Sequence, residues 1–104
     1  MIKQIALKDY AHGRMMGFRS SAVPLRLMLE ASLSEGGEVV VDFSGVEVTQ
    51  GFVDELIGAI VLQKGVQVMS QVVLKGCSLN AKGVIRFVVS DRAAQFTASS
   101  RPTH

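Results

Sequence analysis

The sequence predicts a small α/β domain in which crossover helices join the strands of a mainly parallel or mixed central sheet. At 104 residues the chain is long enough for one domain with its own core. Two uninterrupted apolar runs, Val39-Val40-Val41 and Val72-Val73-Leu74, indicate central strands covered on both faces. Segments with helical spacing of apolar residues separate these runs, and this alternation is typical of parallel sheets.

Three strands are predicted, over residues 2–8, 38–43 and 71–77. Ile5 and Leu7 share one face of the first strand. The intervening segment 10–17 has the composition of a loop. Met15, Met16 and Phe18 are expected to fold back over one end of the core, with a flexible contact to a partner as the alternative.

Three helices are predicted, over residues 20–33, 50–64 and 80–95. Ser20 or Ser21 is the expected N-cap of the first helix, which places Pro24 in its first turn. Asn80 is the expected N-cap of the last helix, although the run VIRFVV is also compatible with a strand. The buried face of the first helix is expected to consist of Ala22, Leu25, Met28, Leu29 and Leu33. The domain is expected to span residues 1–96, followed by a polar, frayed tail over 97–104.

Composition limits the classes of function. A net charge of +2, with 48% apolar and 19% charged residues, gives little support for nucleic-acid binding. The single cysteine, Cys77, excludes an internal disulfide, and the first residues do not form a signal peptide or a membrane helix. We therefore expect a cytoplasmic protein, and the lack of catalytic or metal-binding motifs predicts that it has no cofactors, metals or catalytic residues.

The helix over residues 50–64 carries the main candidate site. On a helical wheel, Val53, Leu56, Ile57 and Ile60 cluster on one side, which is expected to face the sheet. The opposite stripe is predicted to face solvent and to bind a partner protein, with Thr49 just before it; its members are Gly51, Asp54, Glu55, Gly58 and Leu62. On this interpretation, Gly58→Arg would block binding with little loss of folding.

The segment VVVDFSGVEVTQGFVDELIG resembles the STAS-like domains, relatives of the sulfate-transporter and anti-sigma-factor-antagonist fold. The resemblance rests on the strand-end turn Asp42, Phe43, Ser44, Gly45 and Val46, followed by a helix. It implies a small layered α/β domain that regulates by binding. Asp42, Ser44 and Gly45 are expected to organise the turn.

Anti-sigma-factor antagonists of this fold dock on a histidine-kinase-like ATPase, which phosphorylates a serine at the start of the helix. This sequence departs from that pattern, because Gly51 occupies the phosphoacceptor position and Gln50 the preceding aspartate position. Thr49 and Ser44 are the nearest hydroxyls and remain alternative phosphoacceptors. The resemblance therefore implies docking on an ATPase or another signalling protein without the usual phosphorylation switch. Separately, a homodimer is expected if Leu62 and Phe87 are both exposed.

Two other functions compete with this one. A nucleic-acid-binding regulator would use Arg14, Arg19 and Arg26, with Arg14 and Arg19 as anion contacts. A small-molecule or metal site would use Asp42, since ligands bind at the carboxyl ends of parallel strands. Neither has a supporting motif such as a phosphate-binding glycine loop, and both rank below protein binding.

Overall fold

The central sheet of the described residues is parallel and has three strands. A computed structural model describes residues 3–99, with β1 at Lys3–Ala6, β3 at Val39–Asp42 and β5 at Val72–Lys75. Residue 2, the predicted start of the first strand, lies outside the described residues. Two shorter strands, β2 (Met15–Met16) and β4 (Glu47–Val48), form a second parallel pair. The predicted α/β class with a parallel sheet is confirmed.

Within residues 3–99, the helices cover one face of the central sheet. The order β1-β3-β5 moves twice in the same direction, and two right-handed crossovers then lie on the same side. The other face is open, and Val73 on it remains 38% exposed. The residues of the open face are Gln4, Ala6, Val40, Asp42, Val73 and Lys75. The prediction that the valine-rich strands are covered on both faces is therefore wrong.

Helix α1 spans Arg19–Ser34 and begins earlier than predicted. Phe18 occupies the N-cap position and provides no side-chain hydrogen bond, so neither Ser20 nor Ser21 is the cap. Pro24 consequently lies inside the helix, beyond its first turn. Ala22, Leu25, Leu29 and Leu33 are buried as expected, whereas Met28 is 38% exposed.

The second predicted helix is continuous from residue 50 to residue 64, which confirms its bounds. It consists of α2 (Gln50–Val53), a π-helical turn (Asp54–Gly58) and α3 (Ala59–Lys64), and we call the whole the central helix. In the π turn the Ala59 N–H donates to the Asp54 carbonyl, five residues earlier. A 3-10 helix, Val66–Gln71, links the central helix to β5. A further 3-10 turn, Leu7–Asp9, follows β1.

The last helix, α4, spans Leu79–Ser99. Ser78 caps its N-terminus, because the Ser78 Oγ accepts a hydrogen bond from the Ala81 N–H at 3.0 Å. Asn80, the predicted cap, lies within the helix instead. Residues 97–99 belong to α4, so the helix extends into the predicted tail; residues 100–104 lie outside the described residues. Both α1 and α4 pack against the central helix. The largest side chains that are fully buried in the resulting core are Phe43, Phe52, Leu7, Leu25, Leu29, Leu56 and Ile57.

Candidate functional site

Asp54 lies between two arginines and is only 8% exposed. Arg92 of α4 donates from Nε to Oδ1 at 2.6 Å and from Nη2 to Oδ2 at 2.5 Å. Arg19 of α1 donates from Nη1 to Oδ2 at 2.8 Å. These hydrogen bonds, above all those from Arg92, lower the pKa of Asp54, although burial opposes the shift. The same contact raises the pKa of Arg92. Asp54 therefore links three helices as a carboxylate.

Gly58 lies in the contact between the central helix and α4. A Cβ at this position would lie 2.5 Å from Asp54 Oδ1, 2.8 Å from Val88 Cγ1 and 3.2 Å from Arg92 Cγ. The glycine thus allows α4 to approach closely enough for Arg92 to reach Asp54. The predicted solvent-facing stripe is wrong here, since both Gly58 and Asp54 are buried within the protomer.

The remaining members of the predicted stripe are partly covered. Gly51, Glu55 and Leu62 are all half-buried. Glu55 accepts a hydrogen bond from Arg26 Nε at 3.1 Å, and the same guanidinium donates from Nη1 to Glu30 at 2.7 Å. The helical wheel failed because α1 and α4 both pack against the central helix, so that the side opposite the predicted sheet-facing side is also covered.

The proposed basic surface is also divided by these ion pairs. Arg26 is held between two glutamates, and Arg19 contributes one of its donors to Asp54. Arg14 and Arg19 are exposed, whereas the side chain of Arg26 is only 23% exposed. The three arginines therefore do not present one continuous positive surface to a nucleic acid.

Thr49 fixes the start of the central helix. Its hydroxyl accepts a hydrogen bond from the Phe52 N–H at 3.2 Å and donates to the Gly17 carbonyl at 2.9 Å. The first contact caps the helix and the second attaches the loop before α1. Arg19 covers Gly51, with its Cγ 3.7 Å from the position of an added Cβ. Both hydrogen-bonding functions of Thr49 are thus occupied within the chain.

Asp42 and Ser44 form the turn at the carboxyl end of β3. Asp42 Oδ1 accepts a hydrogen bond from the Ser44 N–H at 2.9 Å, and hydrogen bonds from Ser44 are the main cause of the lowered pKa of Asp42. Gly45 continues the turn with φ of 80°, a conformation that favours glycine. Ser44 also lies where a Cβ on Gly76 would be, so the two loops touch. Asp42 is therefore engaged in an Asx turn.

The cavities at the strand ends offer little chemistry. One, of about 490 Å³, is lined by Arg14, Glu47, Cys77 and Ser78 among others. Burial raises the pKa of the Cys77 thiol, which keeps it in its weakly nucleophilic protonated form. Within residues 3–99, no group of three His, Cys, Asp or Glu side chains is placed to hold a metal ion. Because the strand order never reverses, the sheet also lacks the crevice in which doubly wound folds bind ligands.

The comparisons with known proteins agree with this architecture. Residues 21–82, more than half of the chain, match the family model described as a STAS-like domain of unknown function. The chain belongs to this STAS-like family. No curated protein and no solved structure matches the chain. Within residues 3–99, no helix has both the length and the apolar character needed to cross a membrane.

The STAS-like domain exposes an apolar surface where the sequence predicted a covered core. Tyr10, Met15 and Phe18 are 47%, 59% and 77% exposed, and we call these three residues the apolar patch. They line one cavity of about 160 Å³ together with His12 and other loop residues. Of the methionines in this loop only Met16 is buried, so the expectation that Met15 and Phe18 cover the core is wrong.

The apolar patch adjoins the start of the central helix of this STAS-like domain. Gly17, beside Phe18, accepts the hydrogen bond from Thr49, and Arg19 reaches over Gly51. Sequence reasoning gave a partner contact through Met15 and Phe18 only as the alternative and did not consider Tyr10, because Met and Phe after a strand are as typical of a core as of a surface. The one available signal was their position in a glycine-containing loop.

Proposed function

We propose that this STAS-like domain is a non-catalytic regulatory module that binds a protein partner through the apolar patch. The observation that carries the proposal is the joint exposure of Tyr10, Met15 and Phe18 around one cavity. Aromatic residues and methionine are enriched where proteins meet, and each buries a large apolar area. The proposal keeps the docking site near Thr49 and Gly51 but moves it from the acidic stripe to the adjoining loop.

The charge around the patch favours a partner with acidic side chains. His12, Arg14 and Arg19 are exposed beside it, and Arg19 has donors left after its contact with Asp54. A partner that inserts an apolar side chain into the patch could place carboxylates against these groups. Such flanking charges increase the association rate and select the partner more than they increase affinity.

The resemblance to anti-sigma-factor antagonists suggests a bacterial cytoplasmic signalling protein, such as a histidine-kinase-like ATPase, as the partner. The proposed interaction lacks the usual phosphorylation switch. Gly51 has no hydroxyl, and the Thr49 hydroxyl is used for capping and for the bond to Gly17. Ser44 belongs to the turn at the end of β3, whose N–H is bonded to Asp42. Binding without phosphorylation at these positions is therefore the simplest arrangement.

Further observations favour binding over catalysis. The Cys77 thiol is disfavoured as a nucleophile by its raised pKa, and Asp54 is neutralised by two arginines. His12 is exposed in a loop, and within residues 3–99 no hydrogen bond or ion pair orients its ring as a general base. The ionisable side chains that approach one another within residues 3–99 thus form structural ion pairs.

The proposal is tested by affinity purification from cells that contain the protein. The baits are the wild-type chain, Phe18→Asp and Leu27→Asp, the last being a control on the exposed surface of α1. We expect the wild type and Leu27→Asp to retain the same protein and Phe18→Asp to lose most of it. Equal retention by all three folded baits would place the docking surface elsewhere.

A further inference from the structure

Helix α4 has a second apolar face that the protomer leaves uncovered. Ala81, Ile85 and Val88 pack inward against the core, while Leu79 is 86% exposed and Phe87 55% exposed on the other side. Residues between and beyond these two are small, and all are exposed; they are Gly83, Ser90, Ala94 and Thr97. A helix with apolar residues on opposite sides is typical of one that is buried on both.

The spacing of this face is that of a coiled-coil seam. Gly83, Phe87, Ser90, Ala94 and Thr97 follow one another at intervals of four, three, four and three residues. Such a pattern keeps one narrow stripe facing a neighbouring helix. The centre of the stripe carries no charged residue, and the helix of 21 residues is about 31 Å long at 1.5 Å per residue.

We propose that this outer face of α4 binds the same face of a second copy of the chain, with the two helices parallel. The domain bodies then lie on opposite sides of the helix pair, because each packs against the inner face of its own α4. The inference does not depend on the proposed function, since the apolar patch and the outer face of α4 are separate surfaces.

The charges of Arg86 and Asp91 favour a second copy of the chain as the binding partner and a parallel orientation of the two α4 helices. Arg86 and Asp91 are exposed, flank the stripe on opposite sides, and are five residues apart. In a parallel pair, residues with this separation meet across the interface, so Arg86 of each copy reaches Asp91 of the other. An antiparallel pair would instead bring the Arg86 sides of the two copies together. Within residues 3–99, Asp91 accepts a side-chain hydrogen bond from Gln95 and forms no ion pair, although its charge also acts on the neighbouring Arg92; Arg86 forms no ion pair there either.

Packing is compatible with this arrangement. Phe87 of one copy meets Phe87 of the other at the seam, while Gly83, Ser90 and Ala94 allow the backbones to approach. Leu79 lies beside Val84 of the second copy, again five residues further along. A single helix pair buries an area near the lower limit of stable interfaces, so we expect a dissociation constant on the order of 10–100 µM.

The first test is the molar mass in solution, measured by sedimentation equilibrium at protein concentrations below and above the expected dissociation constant of about 10–100 µM. The wild type should change from 11.2 kDa to twice that mass, and Phe87→Glu should remain a monomer. Leu27→Glu, which introduces the same charge at an exposed apolar site on α1, should dimerise like the wild type. A wild type that stays monomeric at 1 mM, or a Phe87→Glu variant that dimerises normally, would overturn the inference.

A charge exchange tests the contact itself. Arg86→Asp and Asp91→Arg should each weaken dimerisation roughly tenfold, because each replaces two attractions by two repulsions. The double variant, R86D with D91R, should recover most of the loss. Failure of the double variant to recover while both single variants remain folded would contradict the pairing.

Disulfide formation tests the orientation. In a Cys77→Ser background, Ala94→Cys should form a disulfide-linked dimer on mild oxidation, since position 94 meets itself only in a parallel pair. An antiparallel pair would instead link Ala94→Cys to Gly83→Cys in a mixture of the two variants, with no product from Ala94→Cys alone. That outcome, or no linkage at all, would overturn the parallel arrangement.

Discussion

Asp54 and Arg92 form a two-point ion pair that joins the central helix to α4, with Nε–Oδ1 and Nη2–Oδ2 distances of 2.6 and 2.5 Å. The two residues are 38 positions apart in the chain. Their contact requires Gly58, which leaves room for the Arg92 side chain next to the helix backbone. An acid that looks like part of a binding surface in the sequence is thus a structural connection between helices.

Asp54→Asn should destabilise the domain by about 2–3 kcal/mol. Removing one partner of a buried ion pair leaves an uncompensated charge, which typically costs about 3–5 kcal/mol, and the partial exposure of Arg19 and Arg92 reduces that cost. Urea unfolding measures the change. The matched control is Glu55→Gln, where Arg26 keeps its pair with Glu30, and we expect about 1 kcal/mol or less. An equal decrease in the free energy of unfolding in both variants would mean that Asp54 contributes no more to stability than Glu55 does.

Gly58→Ala should also lower the free energy of unfolding, by about 1–3 kcal/mol, although alanine is normally the better helix former. The new methyl group would crowd Val88 and displace the Asp54 carboxylate from Arg92. The control is Gly83→Ala on α4, measured below about 10 µM, where the chain is a monomer. Nothing in the protomer lies within 4 Å of an added Cβ there, and a gain of about 0.5–1 kcal/mol is expected. Relative to the wild type, the midpoint of thermal unfolding should therefore fall for Gly58→Ala and rise for Gly83→Ala.

Gly58→Arg should fail to fold stably, in contrast to the expectation from the sequence. An arginine side chain cannot be accommodated between the central helix and α4, and its charge would lie beside Arg92. Loss of the cooperative unfolding transition, followed by circular dichroism, measures this. A folded Gly58→Arg protein would show that the two helices can separate at little cost.

The stability contributed by Asp54 should depend on pH in a defined direction. Its pKa is lower in the folded state than in the unfolded state, where the pKa is near the ordinary aspartate value of 3.8. Protonation therefore favours unfolding, so the contribution is complete above about pH 5 and declines as the pH falls through the folded-state pKa. The difference in free energy of unfolding between the wild type and Asp54→Asn should be constant from pH 6 to 8 and shrink below pH 4. A difference independent of pH would mean that the carboxylate charge is not what stabilises the fold.

Thr49→Val should destabilise the domain by about 1–2 kcal/mol, because the central helix loses its cap and the Gly17 carbonyl loses its donor. Thr49→Ser keeps the hydroxyl and should retain most of the stability. The free energies of unfolding of the two variants, measured by chemical denaturation, separate the contribution of the Thr49 hydroxyl group from that of its methyl group. Equal stability of the two variants would mean that the hydroxyl is not needed at this position.

Local sequence patterns predicted much of the fold. The valine runs identified β3 and β5, and the bounds of the central helix were right because Thr49 and Gly65 mark its two ends. These patterns are formed by residues that are close together in the sequence, so they predict secondary structure and family membership well.

The candidate site was predicted less well, because its geometry depends on residues far apart in the chain. A helical wheel assumes one solvent-facing side, but Asp54 meets Arg19 and Arg92 from two other helices. The π turn also departs from 100° per residue at that point. The exposure of Phe18 could not be read from its sequence neighbours, since it depends on where the loop before α1 packs.

The most direct test of the proposed docking surface is photo-crosslinking in the cell. A benzoyl-phenylalanine placed at position 18 reports what lies against the apolar patch, and the same group at position 27 on α1 is the control. We predict one discrete adduct with a different protein from position 18 and none from position 27. An unmodified chain at position 18, or the same adducts from both positions, would contradict the account.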